Sequence, residues 1–488
     1  MPRSTARSTK ASELLDGAGS EAKGQRVNLD AALLAIDRAC KGAVIRDRDV
    51  LETYAGDESE VEPVVPDAAV RARSTADVAA VLRACSEHGV PVTPRAGGTG
   101  RVGGAVPVRG GIVLATETMD QVLGVERADL NVVVQPGVVL GDLHRTVEEE
   151  NLFYPPDPNS WASCRIGGNI ACNAGGPRAF KYGVTRNWVL GLRAVTADGT
   201  ILQVGKPTAK GVTGYDLAGL VVGSEGTLAV VTEARLRLTP KPEAVATLLV
   251  FLKDERAMEG VVTAALGRRL VPRCLEMLDR LALEIVKPQA GLDVPEGAHA
   301  MLLVELDGDR DVLQAQVEDC GMAMLEAGAV DVLVAKNESE RERLWAARRE
   351  LSYTMRRQAK NKLSEDVVVP RTRLGELVER CRALQDQHGI RMPSYGHAGD
   401  GNLHVNFLWD EPDERPRVDA AIRALFESVV AMGGTLSGEH GIGVLKAPYL
   451  GLEQSDALID VQRRIKDVFD PKGILNPGKI FPRGHRAC

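Results

Sequence analysis

Pro94-Arg-Ala-Gly-Gly-Thr-Gly-Arg-Val-Gly-Gly-Ala-Val-Pro107 decides which fold this chain can adopt. It contains Gly98-x-Gly100-x-x-Gly103, the string of the doubly wound dinucleotide-binding fold. That fingerprint works only where it opens a helix, whose N-terminus then holds a pyrophosphate. Gly104, Pro107, Gly110 and Gly111 prevent a helix here. A glycine-rich turn without a helix still presents successive backbone N–H groups to an anion. The stretch therefore reads as a diphosphate cradle belonging to a different fold.

The flanking sequence alternates strand and helix signals. Asp77–Cys85 has the spacing of an amphipathic helix closed by His88-Gly89, and Val90–Thr93 reads as a short strand. Asn131–His144 reads as strand, turn and helix start, and leads into Tyr154–Ser160. Two more glycine-rich loops follow, Ile166–Gly176 and Gly223–Leu228. Dense Gly and Asn let main chain lie flat against a planar ligand, with Asn adding amide donors and acceptors. One such loop would be ordinary; three in one region favour a ligand. Val230–Leu238 alternates as a strand, and Thr239–Pro242 marks a domain boundary.

Beyond that boundary, Ala246–Phe251 and Ala300–Glu305 read as strands, with helical patterns after Asp254 and Asp311. This suits an antiparallel sheet with helices on one face. Ser339–Glu342 has the form of a capping box. In the helix it opens, Arg348 and Ser352 lie within the apolar stripe of Leu344, Leu351 and Met355. A guanidinium there must pair, either in a buried salt bridge or as a fork for a substrate carboxylate.

Ser394–Phe407 reads as a hairpin about an Asp400-Gly401 turn, which sets His397 directly across from His404 and Tyr395 across from Asn406. Leu403, Val405 and Phe407 then face the other way. Glu439 follows, wedged with His440 between glycines. Two His and one carboxylate with open positions form a catalytic rather than a structural metal set. The plain alternative is a hydrogen-bonded His pair. Asp470–Lys479 cannot be helical, because Pro and Gly interrupt it.

At 488 residues the chain exceeds a single core. Its hydrophobic and charged fractions, 44% and 26%, are those of an ordinary globular protein. A net charge of −7 without a basic run argues against nucleic acid, and no stretch has the length of a membrane span. The eight cysteines contain no Cys-x-x-Cys, so no zinc ribbon or iron–sulfur run is indicated, and free thiols in a reducing compartment are expected. Residues 1–27 lack an apolar h-region and are expected to be a disordered N-terminus rather than a secretory signal.

From about Glu62 to Phe481 the chain resembles the FAD-dependent D-2-hydroxyacid dehydrogenases of the vanillyl-alcohol-oxidase flavoprotein superfamily. This group includes D-lactate and D-2-hydroxyglutarate dehydrogenases and glycolate oxidase subunits. The resemblance is carried by PRAGGTGRVGGAVP, PPDPNSWASCRIGGNIACNAGGPRAFKYGV, GSEGTLAVVTEA, YGHAGDGNLHVN, SGEHGIG and LNPGK together. It implies an α+β protein: a two-subdomain FAD-binding domain over 28–240, a substrate-binding cap with an antiparallel sheet over 241–468, and a tail, 469–488, returning to the FAD domain.

The diphosphate is expected on Arg95, Ala96, Gly97, Gly98, Thr99 and Gly100. Further flavin contacts are expected from Pro156, Asp157 and Ser160, from Gly167, Gly168 and Asn169, and from Asn173, Gly175 and Gly176. Glu225, Gly226 and Asn476 complete that set. Thr99 stands where some members link flavin to a His, so the FAD is expected to be non-covalent. His397, His404 and Glu439 are expected to hold a divalent metal, zinc by donor type, with His440 as general base. Arg348, Ser352, Lys362 and Asn406 are expected to bind substrate.

The implied reaction oxidises a D-2-hydroxy acid, D-lactate first, to the 2-oxo acid. Hydride passes to flavin N5, and electrons pass on to a separate quinone, cytochrome or electron-transfer flavoprotein. D-2-hydroxyglutarate oxidation, or a role as the flavin subunit of a glycolate oxidase complex, is the alternative. A cytoplasmic location is expected, with peripheral attachment to the inner membrane and a homodimer left open.

Overall fold

The computed structural model describes residues 22–208 and 210–481. The N-terminus expected to be disordered lies outside the described residues as far as 21, and residues 22–27 begin the helix Ala22–Ala39. The end of the tail, 482–488, also lies outside them.

Strands β1 (Val44–Ile45), β2 (Ala68–Arg71), β3 (Val92–Arg95) and β4 (Ile112–Ala115) form a first sheet in the order β1-β2-β4-β3, parallel except for β1. The helix Thr75–His88 connects β2 to β3. Ser74 accepts from the Asp77 N–H at its start, and Gly89, at φ +66°, ends it. Its Val78, Val81 and Leu82 pack on Val70, Ile112 and Leu114. The β3–β4 connection is the glycine-rich stretch, and it contains no helix.

A second, antiparallel sheet has β5 (Val122–Glu126), β6 (Asn131–Val134), β8 (Val189–Thr196), β9 (Ile201–Gly205) and β10 (Ala229–Arg237) in the order β5-β6-β10-β8-β9. The Thr239–Pro240 link is itself a short strand, β11, paired with β7 (Leu152–Phe153). Ile166–Cys172, read as loop, is a short helix, with Asn173 at its C-cap at φ 52°.

The third sheet is antiparallel throughout: β12 (Ala244–Leu252), β13 (Cys274–Leu278), β14 (Ala300–Gly308), β15 (Asp331–Val334), β16 (Asn361–Val368), β17 (Ser394–His397) and β18 (Asn402–Trp409), in the order β15-β12-β14-β13-β17-β18-β16. Helices cover both of its faces, not one. Ala257–Gly267, Arg310–Glu326, Leu374–His388 and Arg415–Ala431 pack on one side, where Leu403, Val405 and Phe407 point. Arg280–Ala290 and Glu338–Arg356 pack Leu283, Val286, Leu344 and Leu351 on Phe251, Leu278 and Leu303 on the other. The cause lies in β12 and β14, which bury apolar residues on both faces and so need cover on both.

Two local readings shift. The helix Glu338–Arg356 is capped by Asn337, whose side chain accepts from the Glu340 N–H, so the cap sits two residues earlier than Ser339, and the Glu340 carboxylate takes the Lys336 N–H instead of closing a box. In the hairpin, Tyr395 opposes His404 and Ser394 opposes Val405. The turn runs from Ala398 to Gly401, with the Asp400 N–H on His397 O and the Gly401 N–H on Ala398 O. His397 and His404 are therefore diagonal neighbours. A slip of two residues keeps every side chain on its face, so the apolar and polar faces are as read.

Candidate active site

The part of the third sheet left uncovered by the helix Glu338–Arg356 opens into a cavity of about 1270 Å³ shared with the glycine-rich loops. Gly97, Gly98, Thr99, Gly100, Arg101 and Val102 line it in succession. None of their backbone N–H groups donates to an acceptor among the described residues. Asn169 Nδ2 and Ser224 Oγ, also on the wall, are buried without a protein partner. Unpaired buried donors are rare unless a ligand or water takes them. Six consecutive free amides plus these two groups fit a long ligand bearing a diphosphate.

Arg95, Ala96, Asp157, Ser160, Gly167, Gly168, Glu225 and Gly226 also line the cavity. Pro156, Asn173, Gly175, Gly176 and Asn476 stand behind the wall. Gly176, at φ +120°, lies where a Cβ would come 2.5 Å from the Asp157 carbonyl oxygen. Asn476 Nδ2 donates to the carbonyls of Gly104 and Glu225, and Asn173 Oδ1 accepts from the Arg186 N–H. The Glu225 carboxylate accepts from the N–H groups of Ile442 and Gly443 at 2.7 and 2.8 Å, tying the flavin-side loop to the His440 loop.

On the sheet side, His397 Nε2 and His404 Nε2 lie 3.4 and 3.6 Å from Glu439 Oε1. The three ligand atoms all fall within 4.8 Å of one another. The opposite ring nitrogens face carboxylates: His397 Nδ1 is 2.5 Å from Glu276 Oε1, and His404 Nδ1 is 3.8 Å from Asp366 Oδ1. Carboxylates behind ligating imidazoles are the usual support of a metal site, so the donor set fits a divalent cation. Burial disfavours charge on both rings. For His397 the Glu276 carboxylate outweighs it and holds the pKa well above the usual value, whereas burial wins at His404 and pushes it well below.

Of the two readings of Arg348, the structure shows the buried salt bridge. Nη2 pairs with Glu276 Oε2 at 2.5 Å, the guanidinium sits 4.6 Å over the Tyr395 ring, and buried Nε has no partner. Lys362 Nζ donates to Ser352 Oγ and O at 2.7 and 3.2 Å and reaches no described carboxylate. Burial, with Arg101 and Arg356 nearby, lowers its pKa to about 7. Both side chains line the cavity, as do Ser352 and His440. His440 stacks on His404 with centroids 5.4 Å apart, and its buried Nδ1 is unpartnered. Burial lowers its pKa, leaving the ring neutral at neutral pH, although Asp366 and Glu439 pull the other way. Asn406 is not on the wall: its Nδ2 donates to Pro393 O and His404 O within the sheet.

Two residues of the site were not read from the sequence. Glu276 lies on β13, directly across from His397. Asp366 Oδ2 accepts from the N–H groups of Gly438, Glu439 and His440 at 2.9, 2.8 and 3.0 Å, which shapes the loop that presents two of the site's side chains. The only local signal was an acid in a strand buried on both faces, as Glu276 is in β13.

These loops and this cap define an FAD-linked oxidoreductase. Residues 66–205 match the FAD binding domain, and 241–480 match the FAD linked oxidases, C-terminal domain. The chain is 40% identical over 435 residues to glycolate oxidase subunit GlcD of Bacillus subtilis (strain 168), covering 89% of this chain and 93% of that protein. It is 35% identical over 443 residues to D-lactate dehydrogenase of Anaerostipes hadrus, covering 88% and 93%. The structure of 4-ethylphenol oxidase from Gulosibacter chungangensis superposes with a TM-score of 0.76 at 21% identity, over 96% of this chain and 99% of that one, which shows a shared fold. The chain belongs to the FAD-linked oxidase family and takes FAD as its cofactor. Among the described residues no helix is long and apolar enough to cross a membrane.

Proposed function

We propose that this chain oxidises a short D-2-hydroxy acid to the 2-oxo acid, with D-lactate the first choice, and that it needs a divalent cation, zinc by its donors. The observation that carries this is the convergence of His397, His404 and Glu439 with Arg348, Lys362 and His440 on one cavity wall. Bound FAD supplies the two-electron acceptor. The two imidazoles and the Glu439 carboxylate would hold a divalent cation, which would supply Lewis acidity.

The chain's own residues do the rest. Lys362, with the free Nε of Arg348, binds the substrate carboxylate, and Ser352 steers the Lys362 ammonium. His440 Nδ1 takes the hydroxyl proton, since it is neutral, buried and otherwise unbonded. Tyr395 supports Arg348 from below, and Asn406 holds the strand behind His404. The electrons leave through a separate acceptor in the cytoplasm or at the membrane surface.

Charge pairing favours a monocarboxylate. Arg348 is matched by Glu276, Arg101 by Glu58 and Arg356 by Glu60, whereas Lys362 bonds only to Ser352. Glycolate is the second reading, supported by the B. subtilis relative's name. D-2-hydroxyglutarate would need a second free cation. Anaerobic mixing with a panel of D- and L-2-hydroxy acids, read by loss of flavin absorbance, tests the assignment. D-lactate or glycolate should bleach the flavin and a chelator should slow it. Bleaching by a non-acidic alcohol, and by none of the acids, would overturn it.

A further inference from the structure

We propose that Glu276 is a positioning residue that serves both halves of the site: one carboxylate oxygen orients the metal ligand His397 and the other anchors the substrate clamp Arg348. This rests on the metal-dependent reading above.

The geometry is direct. Glu276 is fully buried in β13 and opposes His397 across the β13–β17 ladder. Oε1 takes His397 Nδ1 at 2.5 Å, while Oε2 takes Arg348 Nη2 at 2.5 Å. A carboxylate only accepts, so Nδ1 must carry a hydrogen, which makes Nε2, on the Glu439 side, the nitrogen that would give up its proton to a cation. The same carboxylate neutralises Arg348 and fixes its plane over Tyr395, leaving Nε for a ligand. A shift of Glu276 therefore moves a metal ligand and a substrate contact together, although it touches neither metal nor substrate.

Glutamine is the discriminating substitution. Its amide offers one acceptor and one donor pair, yet two donors face it. If its NH₂ meets His397, the ring must accept at Nδ1, and Nε2 then carries a hydrogen and cannot ligate. The flavin-loaded protein, stripped of metal and titrated with zinc, provides the readout. Glu276→Gln is expected to weaken zinc binding roughly 10–100-fold, the usual range for groups behind a metal ligand, with the flavin spectrum unchanged and KM raised. Glu276→Asp, which keeps the charge but shortens the reach, is expected to fall between Gln and wild type, and stands in if the Gln variant does not fold. Arg348→Met is expected to raise KM while zinc affinity stays near wild type; equal zinc loss in this variant and in Glu276→Gln would overturn the two-sided role. Wild-type zinc affinity in Glu276→Gln, alongside loss in His404→Ala, would overturn the inference alone. If His404→Ala also kept its zinc, the metal reading itself would fall.

Discussion

Gly175 lies against Glu439: a Cβ on Gly175 would sit 2.9 Å from Glu439 Oε2. A loop of the flavin-binding half thus limits where the carboxylate of the proposed metal set can stand. The contact is with the end of a flexible side chain, and Gly175 does not have positive φ. Gly175→Ala should therefore fold, at a cost of about 0.5–1.5 kcal/mol for an off-rotamer Glu439. Turnover should fall on the order of 10²-fold, the cost of roughly 1 Å of misplacement at a reacting centre. Thermal unfolding and zinc titration of the same sample separate the two effects; unchanged zinc affinity would show that the contact has no bearing on Glu439.

The flavin should leave the protein on acid precipitation. Thr99 stands where the resemblance places a linking His, and it offers no imidazole nitrogen to bond the flavin. Yellow colour retained in the washed pellet would contradict this.

His440→Ala should lower kcat by about 10²–10⁴-fold, the usual worth of a general acid–base group, while zinc and flavin contents hold. Its ring touches His404 only by stacking, so the ligand atoms of the proposed metal set survive its removal. A near-normal rate with an unchanged pH profile would place the base elsewhere.

Lys362 supplies a pH dependence of substrate binding. Burial lowers its pKa to about 7, so the free enzyme carries the ammonium below that pH and loses it above. An anionic substrate binds the charged form, hence KM should be lowest below pH 7 and rise as pH increases through it. Lys362→Met should raise KM, by an amount corresponding to about 2–5 kcal/mol for a lost charge pair in a desolvated site, and flatten that rise. D-lactate and D-2-hydroxyglutarate compared on this variant report whether Lys362 holds the common carboxylate or a distal one: equal losses indicate the former.

Much of this architecture is set within a few residues of chain. The glycines and prolines from Gly98 to Gly111 forbid a helix wherever they are placed, and alternation in Leu403, Val405 and Phe407 assigns a face whatever the partner strand. Those constraints are steric and periodic, so they could be read without coordinates. The register of the hairpin could not: the Asp400-Gly401 dipeptide permits a two-residue turn, but hydrogen bonds from Asp400 and Gly401 to His397 and Ala398 lengthen it. Nor could the partners of the site be read. Glu276, Asp366 and Gly175 come to His397, His440 and Glu439 from other strands and another sheet's loop. Charge compensation in a buried site depends on which groups the folded chain brings within hydrogen-bond distance, and burial makes an unpaired charge costly wherever its partner lies in sequence.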